Sequence, residues 1–295
     1  MTVFTDQYYS VIITYNPDLN RIKKNIDNLL RQGFRIIVVD NNSENVDLIS
    51  KISGIQLIRL KSNKGIATAL NVGMDQAGKN GNSWVLSLDQ DTEIAPNLLH
   101  EYKNALKKKD DIGALSPQVI KRGESVFKDN NLLEKIDKCP TSGFFMTTDL
   151  WKKLGKYNEW MFIDYVDYDM CIRIRTSGLS IYRVGTTYIL QELGKLHVNK
   201  FFYSLGTWLH INKLKNFALT YNHSPFRNYY YVRNALYYIN KYSDSLDVRY
   251  EKNHLIKWEM KKFFLERNKI KNIKAALKGI HDYRLLCKRK SYWGR

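Results

Sequence analysis

The first hundred residues alternate between short apolar runs and segments in which apolar residues have helical spacing. Four apolar runs predict buried strands, at 11–13, 36–39, 56–58 and 84–88. Between them, apolar residues recur every three or four positions from Leu19 to Leu30 and from Ile66 to Gly73, which predicts amphipathic helices. Strands and helices in alternation indicate a doubly wound α/β sheet with right-handed crossovers.

The rest of the chain predicts further helices and a change of character near residue 200–240. We expect a helix over 96–109, a basic loop to about 138, a short apolar run at 144–146 after Ser142-Gly143, and a helix that begins within 162–173. The segment 226–238 is rich in aromatic residues, and apolar residues with helical spacing continue beyond it among many lysines. We therefore predict two domains, 1–238 and 239–295.

Polar residues follow each of the four predicted strands, at 14–17, 40–43, 61–65 and 89–91. Ligands of doubly wound sheets bind beyond the carboxyl ends of the strands. Each cluster alone fits a turn or the cap of the next helix. Four clusters at four successive strand ends point instead to one ligand-binding rim.

The charge is unevenly distributed. The formal net charge is +18, from 47 Lys and Arg against 29 Asp and Glu. From residue 251 onward, 14 basic residues face four acidic ones, so this tail carries +10 and the first 250 residues carry +8. Such an excess suggests a polyanionic partner, which could be nucleic acid, an anionic membrane surface or a phosphorylated substrate.

Composition excludes several classes of protein. An apolar fraction of 44% is enough for a folded core. Three widely spaced cysteines exclude a disulfide framework and a zinc site of the Cys-x-x-Cys type. No apolar run approaches the roughly 20 residues that span a bilayer. The first residues lack the basic and apolar pattern of a secretory signal, so we expect a cytoplasmic location.

Two acidic clusters are candidates for chemistry. Asp89 and Asp91 flank one residue at a strand end, and a pair of oxygen ligands favours Mg²⁺ or Mn²⁺; the alternative is two solvated helix-capping acids. Asp164, Asp167 and Asp169 form the second cluster, which could supply a general base at a helix N-terminus. Its alternative is a set of helix caps, with Asp169 paired to a basic residue four positions on, Arg173.

An ordered set of motifs resembles the inverting family 2 glycosyltransferases of GT-A fold. It covers roughly residues 8–238. The motifs are VIITYNP at 11–17, VVDNNS at 38–43, NKGIATALNVG at 63–73, LDQD at 88–91, Ser142-Gly143, FIDYVDYDMCIR at 162–173 and Arg227-x-Tyr-Tyr-x-x-Arg233-Asn234. The third and fourth are more specifically similar to bacterial rhamnosyltransferases. The resemblance implies a Rossmann-like mixed sheet flanked by helices, here followed by a basic helical C-terminal extension.

The resemblance also implies roles for individual residues. The donor would be a nucleotide sugar, with dTDP-rhamnose favoured, and it would contact a set of rim residues. Asp91 and Asp89 would hold Mn²⁺ or Mg²⁺ at the diphosphate of this donor. Asp167 would be the catalytic base towards a glycan or lipid-linked saccharide in the assembly of a bacterial surface polysaccharide or glycoprotein glycan. The donor-contacting set is Thr14, Asn16, Asp40, Asn63, Asn71, Asp89, Arg227 and Arg233, and for the two arginines ion pairing inside an aromatic helix remains an equal alternative.

One position departs from the family pattern. Family members often carry a histidine shortly before a Leu-Gly or Ile-Gly pair, as a further metal or diphosphate contact. Here Gln191 stands at that place, in Gln191-Glu192-Leu193-Gly194. His197 is a candidate substitute as a metal ligand, although its register differs.

Other functions compete for the same features. The basic aromatic tail could bind nucleic acid, but this leaves the acidic strand ends unexplained. A sugar nucleotidyltransferase would need a Gly-rich basic phosphate loop near the N-terminus, which the sequence lacks. We prefer a tail that contacts the inner face of the membrane through its lysines and Trp258, Phe263 and Phe264; a solvated helical face and a homodimer interface are the alternatives. No nucleic acid is then expected as a partner.

Overall fold

The computed structural model describes residues 7–124, 133–192 and 196–293, and its first part has the predicted alternation. All four predicted strands and both predicted helices are confirmed. In chain order the elements are β1 (Gln7–Thr14), α1 (Leu19–Gln32), β2 (Arg35–Asp40), α2 (Val46–Ile49), β3 (Ile55–Arg59), α3 (Gly65–Ala77) and β4 (Ser83–Asp89).

Helix α1 shows how local sequence sets these boundaries. The side chain of Asp18 accepts hydrogen bonds from the backbone N–H groups of Asn20 and Arg21, at 2.9 and 3.2 Å, and so caps the helix start. Gly33 ends the helix with φ of 92°, a left-handed conformation that glycine adopts without steric cost. Ile22 and Leu29 are on the buried face, as the spacing predicts.

The chain then adds strands that the sequence pattern does not reveal. The next elements are β5 (Glu93–Ile94), α4 (Leu98–Leu106), β6 (Ile112–Lys121), β7 (Glu134–Ile136), β8 (Phe144–Thr147), α5 (Thr148–Lys153), α6 (Val166–Thr176) and β9 (Ser180–Gln191). The helix predicted over 96–109 and the helix predicted to begin within 162–173 are confirmed.

The loop predicted from the end of that helix to about 138 is wrong in its first part, where β6 forms, and in its last part, where β7 forms. Residues 125–132 lie outside the described residues. Gly113 and Pro117 disguise this strand, because both residue types are depleted in strands. Pro117 lies at a register shift between β6 and β9, where the strand tolerates it.

Among the described residues, nine strands form one mixed sheet in the order β3-β2-β1-β4-β8-β6-β9-β5, with β7 paired to β9. Strands β1 to β4 run parallel, and β8 introduces antiparallel pairing beside β4. One face of the sheet packs on α1 and α4 through a buried core that includes Ile12, Val38, Leu86 and Phe145. Helix α3 covers the other face, where Gly73 lies against Val11.

The chain divides into two compact units. The first comprises residues 1–162 and 166–192, and the second comprises 163–165 and 193–295. The second contains β10 (His197–Val198), α7 (Lys200–Trp208), α8 (Asn212–Phe217), β11 (Leu219–Thr220), α9 (Pro225–Lys241), α10 (Val248–Leu265) and α11 (Lys269–Trp293). The predicted helical extension is confirmed, and the boundary predicted at 238/239 falls inside α9.

The second unit has its own core, built on the buried face of α9 from Val232, Ala235 and Tyr238. A buried ammonium group, that of Lys262, donates to Asn228 and, at 3.0 Å, to Glu259. Burial lowers the pKa of Lys262 despite these partners. No helix in the described part of the chain combines the length and apolar character needed to cross a bilayer.

Candidate active site

The parallel strands bring the predicted rim together. In the β1–β2 pair Thr14 lies beside Asp40, and in the β1–β4 pair Ile13 lies beside Asp89. The carboxyl ends of the three strands therefore meet at one edge of the sheet, as predicted.

Thr14 and Asp40 form a fully buried pair beneath this edge. The Thr14 hydroxyl donates to the Asp40 carboxylate at 2.9 Å, and Ser43 donates both its backbone N–H, at 2.8 Å, and its hydroxyl to the same carboxylate. The backbone N–H of Asn41 donates to the Thr14 carbonyl at 2.8 Å. These contacts fix the turn after β2, so Thr14 and Asp40 shape the floor of the rim.

Asn16 and Asn63 lie at the exposed surface of the rim. The backbone N–H of Asn16 donates to the Ser43 hydroxyl and its side-chain oxygen accepts from the Glu44 N–H, both at 2.8 Å. The side-chain oxygen of Asn63 accepts from the N–H of Gly65 at 3.0 Å. Both asparagines are therefore exposed and held by their loops, an arrangement suited to contact with a ligand.

The acidic loop after β4 is held by residues to which the sequence interpretation assigned no role. The N–H of Asp89 donates to the buried Ser142 hydroxyl at 3.2 Å, and that hydroxyl is 2.7 Å from the hydroxyl of Thr92. The side-chain oxygen of Gln90 accepts from the N–H of Tyr15 at 2.7 Å, which ties this loop to the end of β1. The motif match at Ser142-Gly143 was the only sequence signal for this support.

The pKa of Asp91 is raised, because burial disfavours the charged carboxylate. Its own backbone N–H and the charges of Arg21 and Arg122 lower the pKa, but by less. The folded protein therefore holds this proton more tightly than the unfolded chain does. Between the ordinary value of 3.8 and the raised pKa, rising pH removes stability instead of adding it. A cation bound to the carboxylate would offset that loss, since it favours the ionised form.

The oxygen atoms at this loop suit a hard divalent cation that completes its shell with water and phosphate oxygen. The side-chain nitrogen of Gln191 lies 3.5 Å from the Asp89 carboxylate, so the residue expected at the family histidine position is beside Asp89. In the described part of the chain no group of three or more His, Cys, Asp or Glu side chains could hold a metal by itself. Asp89 and Asp91 would therefore need oxygen atoms from a ligand.

His197 begins β10 in the second unit and is half-buried. Residues 193–195, which include the Leu-Gly pair of the family pattern, lie outside the described residues. The role of His197 as a metal ligand stays a prediction.

Asp167 is the second residue of α6, where its carboxylate accepts from the N–H of Tyr168 at 2.9 Å. Asp169, fully buried, is ion-paired with Arg173, which also donates to the carbonyl of Leu154 at 2.6 Å. The alternative proposed from spacing is therefore correct for Asp169. Asp167 is half-buried and lies in the first turn of the helix.

Asn71 is buried in α3 and uses both ends of its amide inside the protein. Its nitrogen donates to the Tyr157 carbonyl at 3.0 Å and to Glu159 at 2.8 Å. Its oxygen accepts from the Trp151 ring at 3.2 Å and from the Tyr157 N–H at 2.9 Å. These four bonds fill the hydrogen-bonding capacity of the amide, so Asn71 anchors the segment around Tyr157.

Arg227 and Arg233 lie on α9 and have partners within the second unit. Arg227 is ion-paired with Asp164 at 2.8 Å. Arg233 is buried, donates to the Asn234 side chain, and lies 4.7 Å from the centre of the Tyr230 ring. The ion-pair alternative is confirmed for Arg227, whereas Arg233 lies against a ring and an amide. Contact of either arginine with the donor stays a prediction.

Comparison with known proteins identifies the same stretch of chain. The family model named glycosyl transferase family 2 matches residues 10–167, from β1 to the first turn of α6. The dTDP-rhamnosyl transferase RfbF of Shigella flexneri is 28% identical over 252 residues, which cover 79% of this chain and 80% of that protein.

Two solved structures are similar in fold. The crystal structure of GalNAc-T7 with UDP, GalNAc and Mn²⁺ has a TM-score of 0.54 at 14% identity and covers 63% of this chain. The crystal structure of S. aureus TarS has a TM-score of 0.53 at 16% identity and covers 89%. This chain spans 44% of each. The likeness confirms the predicted GT-A fold.

Proposed function

We infer a specific reaction from the premise that the chain belongs to glycosyl transferase family 2. Membership makes it a glycosyltransferase that uses a nucleotide-sugar donor and a glycan acceptor. We propose dTDP-rhamnose as the donor, supported by the 28% identical dTDP-rhamnosyl transferase over most of both chains. We further propose a glycan or lipid-linked saccharide acceptor in the assembly of a bacterial surface polysaccharide or glycoprotein glycan.

The observation that carries the proposal is the acidic loop at the carboxyl edge of the sheet. Asp89 and Asp91 lie where doubly wound sheets bind ligands. Burial raises the pKa of Asp91, and a bound cation would offset this by favouring the ionised form. These two residues would hold Mn²⁺ or Mg²⁺, which would neutralise charge on the departing diphosphate. Asn16 and Asn63 would contact the donor directly, while Thr14, Asp40 and Asn71 would act by holding the loops.

Asp167 is the proposed general base. It would accept the proton of an acceptor hydroxyl while that oxygen attacks the anomeric carbon from the face opposite the leaving diphosphate. The bond to the diphosphate breaks as the new glycosidic bond forms, so the anomeric configuration inverts. A carboxylate in the first turn of a helix suits this role, because the helix dipole favours negative charge there.

The test compares transfer with donor binding in Asp167→Asn. We expect turnover to fall by about 10²–10⁴-fold, the usual contribution of a general base, while calorimetry with dTDP-rhamnose and Mn²⁺ gives an unchanged Kd. Asp169→Asn would not serve as a control, because it would leave the half-buried Arg173 without its charged partner. Near-normal turnover of Asp167→Asn would remove this residue from the mechanism.

The second unit offers a surface for the proposed membrane contact. Apolar side chains of α9, α10 and α11 line a groove of about 560 Å³. The most exposed members include Ile256, Met260 and Leu277, at 56, 52 and 60%, and Phe263 and Phe264 lie beside them. Trp258, which the sequence also predicted for this contact, is half-buried, packs against His223 and Tyr231, and is not among the residues that line the groove.

Charge favours an anionic lipid surface over a second copy as the occupant. Exposed lysines lie on the same helices, among them Lys257, Lys274 and Lys278. In a two-fold dimer the groove would meet itself and bring these like charges together. An anionic membrane instead attracts each nearby lysine by about 1 kcal/mol and accepts the apolar side chains. We propose this contact at the inner face of the cell membrane.

Vesicle binding distinguishes these occupants. The pair Phe263→Ser and Phe264→Ser should weaken sedimentation with phosphatidylglycerol vesicles by about a hundredfold, at about 1.5 kcal/mol for each buried ring. Trp208→Ser is the control, because Trp208 is 76% exposed and lies on α7, outside the groove. Unchanged vesicle binding would refute the contact, and a concentration-dependent dimer that the Phe substitutions dissociate would establish the homodimer instead.

A further inference from the structure

The four residues before α6 have an unusual backbone. Phe162, Asp164 and Tyr165 all have positive φ, at 61, 61 and 65°, although none is a glycine. Such conformations are costly for Phe and Tyr, less so for Asp, and persist where surrounding contacts impose them. We call residues 162–165 the left-handed segment. It ends immediately before Val166, and Asp167 is the next residue.

Arg227 holds the side chain in the middle of this segment. Its Nε lies 3.1 Å from both carboxylate oxygens of Asp164, and its Nη2 lies 2.8 Å from Oδ1. Asp164 is 12% exposed, whereas Arg227 is 54% exposed. A two-pronged guanidinium contact fixes orientation as well as charge, so the carboxylate of Asp164 has a defined direction.

Asn234 holds the backbone of the same segment. Its fully buried amide nitrogen donates to the carbonyl of Ile163 at 2.8 Å and to that of Asp164 at 3.0 Å. Its oxygen accepts from Nε and Nη2 of Arg233, at 3.1 and 3.0 Å. Arg233 therefore sets which end of the amide faces the segment.

Aromatic packing completes the support. The buried ring of Tyr165 lies 5.4 Å from the ring centres of both Tyr231 and Tyr238. Different residues of α9 therefore hold the Asp164 carboxylate, the backbone carbonyls of Ile163 and Asp164, and the Tyr165 ring. With these contacts to Ile163, Asp164 and Tyr165, the segment can retain positive φ at Asp164 and Tyr165.

We propose that Arg227 and Asn234 are positioning residues for the transfer reaction. They hold the left-handed segment, and this segment sets the direction in which the chain enters α6 and so the placement of the Asp167 carboxylate. The inference rests on Asp167 being the general base proposed above. It replaces the role expected from the sequence, in which Arg227 and Arg233 bind the donor diphosphate.

The experiment separates donor affinity from turnover in Arg227→Ala, Asp164→Ala and the double variant. We expect kcat to fall by about 10–100-fold, since a misplacement near 1 Å can cost about 10²-fold. The donor Kd with Mn²⁺, measured by calorimetry, should stay within about twofold. Because the two residues act as one contact, the double variant should be no slower than the slower single variant.

Two further variants keep the outcome interpretable. Arg227→Lys retains the charge without the two-pronged geometry, so its kcat should lie between those of the wild type and Arg227→Ala. Arg59→Ala removes another exposed ion pair, with Asp47 at 2.8 Å, and should leave kcat unchanged. Circular dichroism should show that all variants remain folded.

Specific results would overturn the inference. A donor Kd raised tenfold or more in Arg227→Ala with kcat retained would make Arg227 a donor ligand, as the sequence interpretation expected. Normal kcat in Arg227→Ala, while Asp167→Asn is inactive, would refute the positioning role and leave the proposed base intact. Activity in Asp167→Asn would instead refute the base itself.

Discussion

The close approach of Gly65 to Phe162 gives a sharp test of how the segment before α6 is held. Gly65 begins α3 with φ of +85°, and the N–H of Ile66 donates to the Phe162 carbonyl at 2.7 Å. A Cβ at position 65 would lie 2.6 Å from that carbonyl oxygen and 2.7 Å from carbon atoms of the Phe162 ring. Gly65→Ala therefore forces the backbone at Phe162 to move.

The cost of Gly65→Ala has two parts. An alanine with this φ is about 1–2 kcal/mol less favourable than glycine. Moving the Phe162 carbonyl away also breaks its hydrogen bond from Ile66, for about 0.5–1.5 kcal/mol. The sum is a loss of about 1.5–3.5 kcal/mol in the free energy of unfolding. Displacement of Phe162 should also lower kcat by about tenfold or more, because Asp167 follows five residues later.

Gly178→Ala is a matched control in the same unit. Gly178 has φ of +86°, but a Cβ there would meet nothing within 4 Å. It should lose only the conformational part of the stability and keep full turnover. Urea unfolding followed by circular dichroism and a steady-state transfer assay measure both effects. Equal stabilities and equal kcat in the two variants would show that contact with Phe162 does not constrain the segment.

Three further outcomes test the site and its packing. The affinity for Mn²⁺, measured by calorimetry with the donor, should fall about tenfold per pH unit below the raised pKa of Asp91, because one proton competes for that carboxylate; Asp91→Asn should abolish this pH dependence along with most of the affinity. Gln191→Ala should weaken Mn²⁺-dependent donor binding whereas His197→Ala should not, and the reverse would return the family histidine's role to His197. Gly73→Ala would place a Cβ 2.3 Å from Val11 and should lower the urea midpoint by an amount equivalent to about 1–3 kcal/mol, which an unchanged midpoint would refute.

The parallel half of the sheet was predictable because its signals are local. A buried parallel strand is a continuous apolar run, and the helix after it carries its own spacing and caps. The antiparallel half lacks these signals. Strand β6 contains Gly113 and Pro117, and its place in the sheet depends on β8 and β9, which follow it by tens of residues. Pairing at that distance overrides local propensity.

The site divides in the same way. Asp89 and Asp91 were identifiable because a strand end and two carboxylates occur within a few residues. The partners of Arg227 and Asn71 were not, since Asp164 lies 63 residues from Arg227 and Glu159 lies 88 residues from Asn71. Residue type shows what a side chain can bind, whereas the fold determines which partner lies within contact distance of it.

The partners found in the fold bear on which groups would neutralise the diphosphate of the donor. Arg227 and Arg233, the cations expected at the diphosphate, are already committed to Asp164 and to the Asn234 side chain. Arg21 and Arg122, whose charges act on Asp91, are ion-paired with acidic residues of the same unit, Glu192 and Glu93. Arg227, Arg21 and Arg122 have carboxylate partners that already balance their charge, so they would neutralise an added phosphate less. Arg233 is buried against a neutral amide. A divalent cation held by Asp89 and Asp91, as proposed above, would then supply most of the positive charge at the diphosphate. Loss of either aspartate should therefore weaken Mn²⁺-dependent donor binding more than the loss of any one of these arginines.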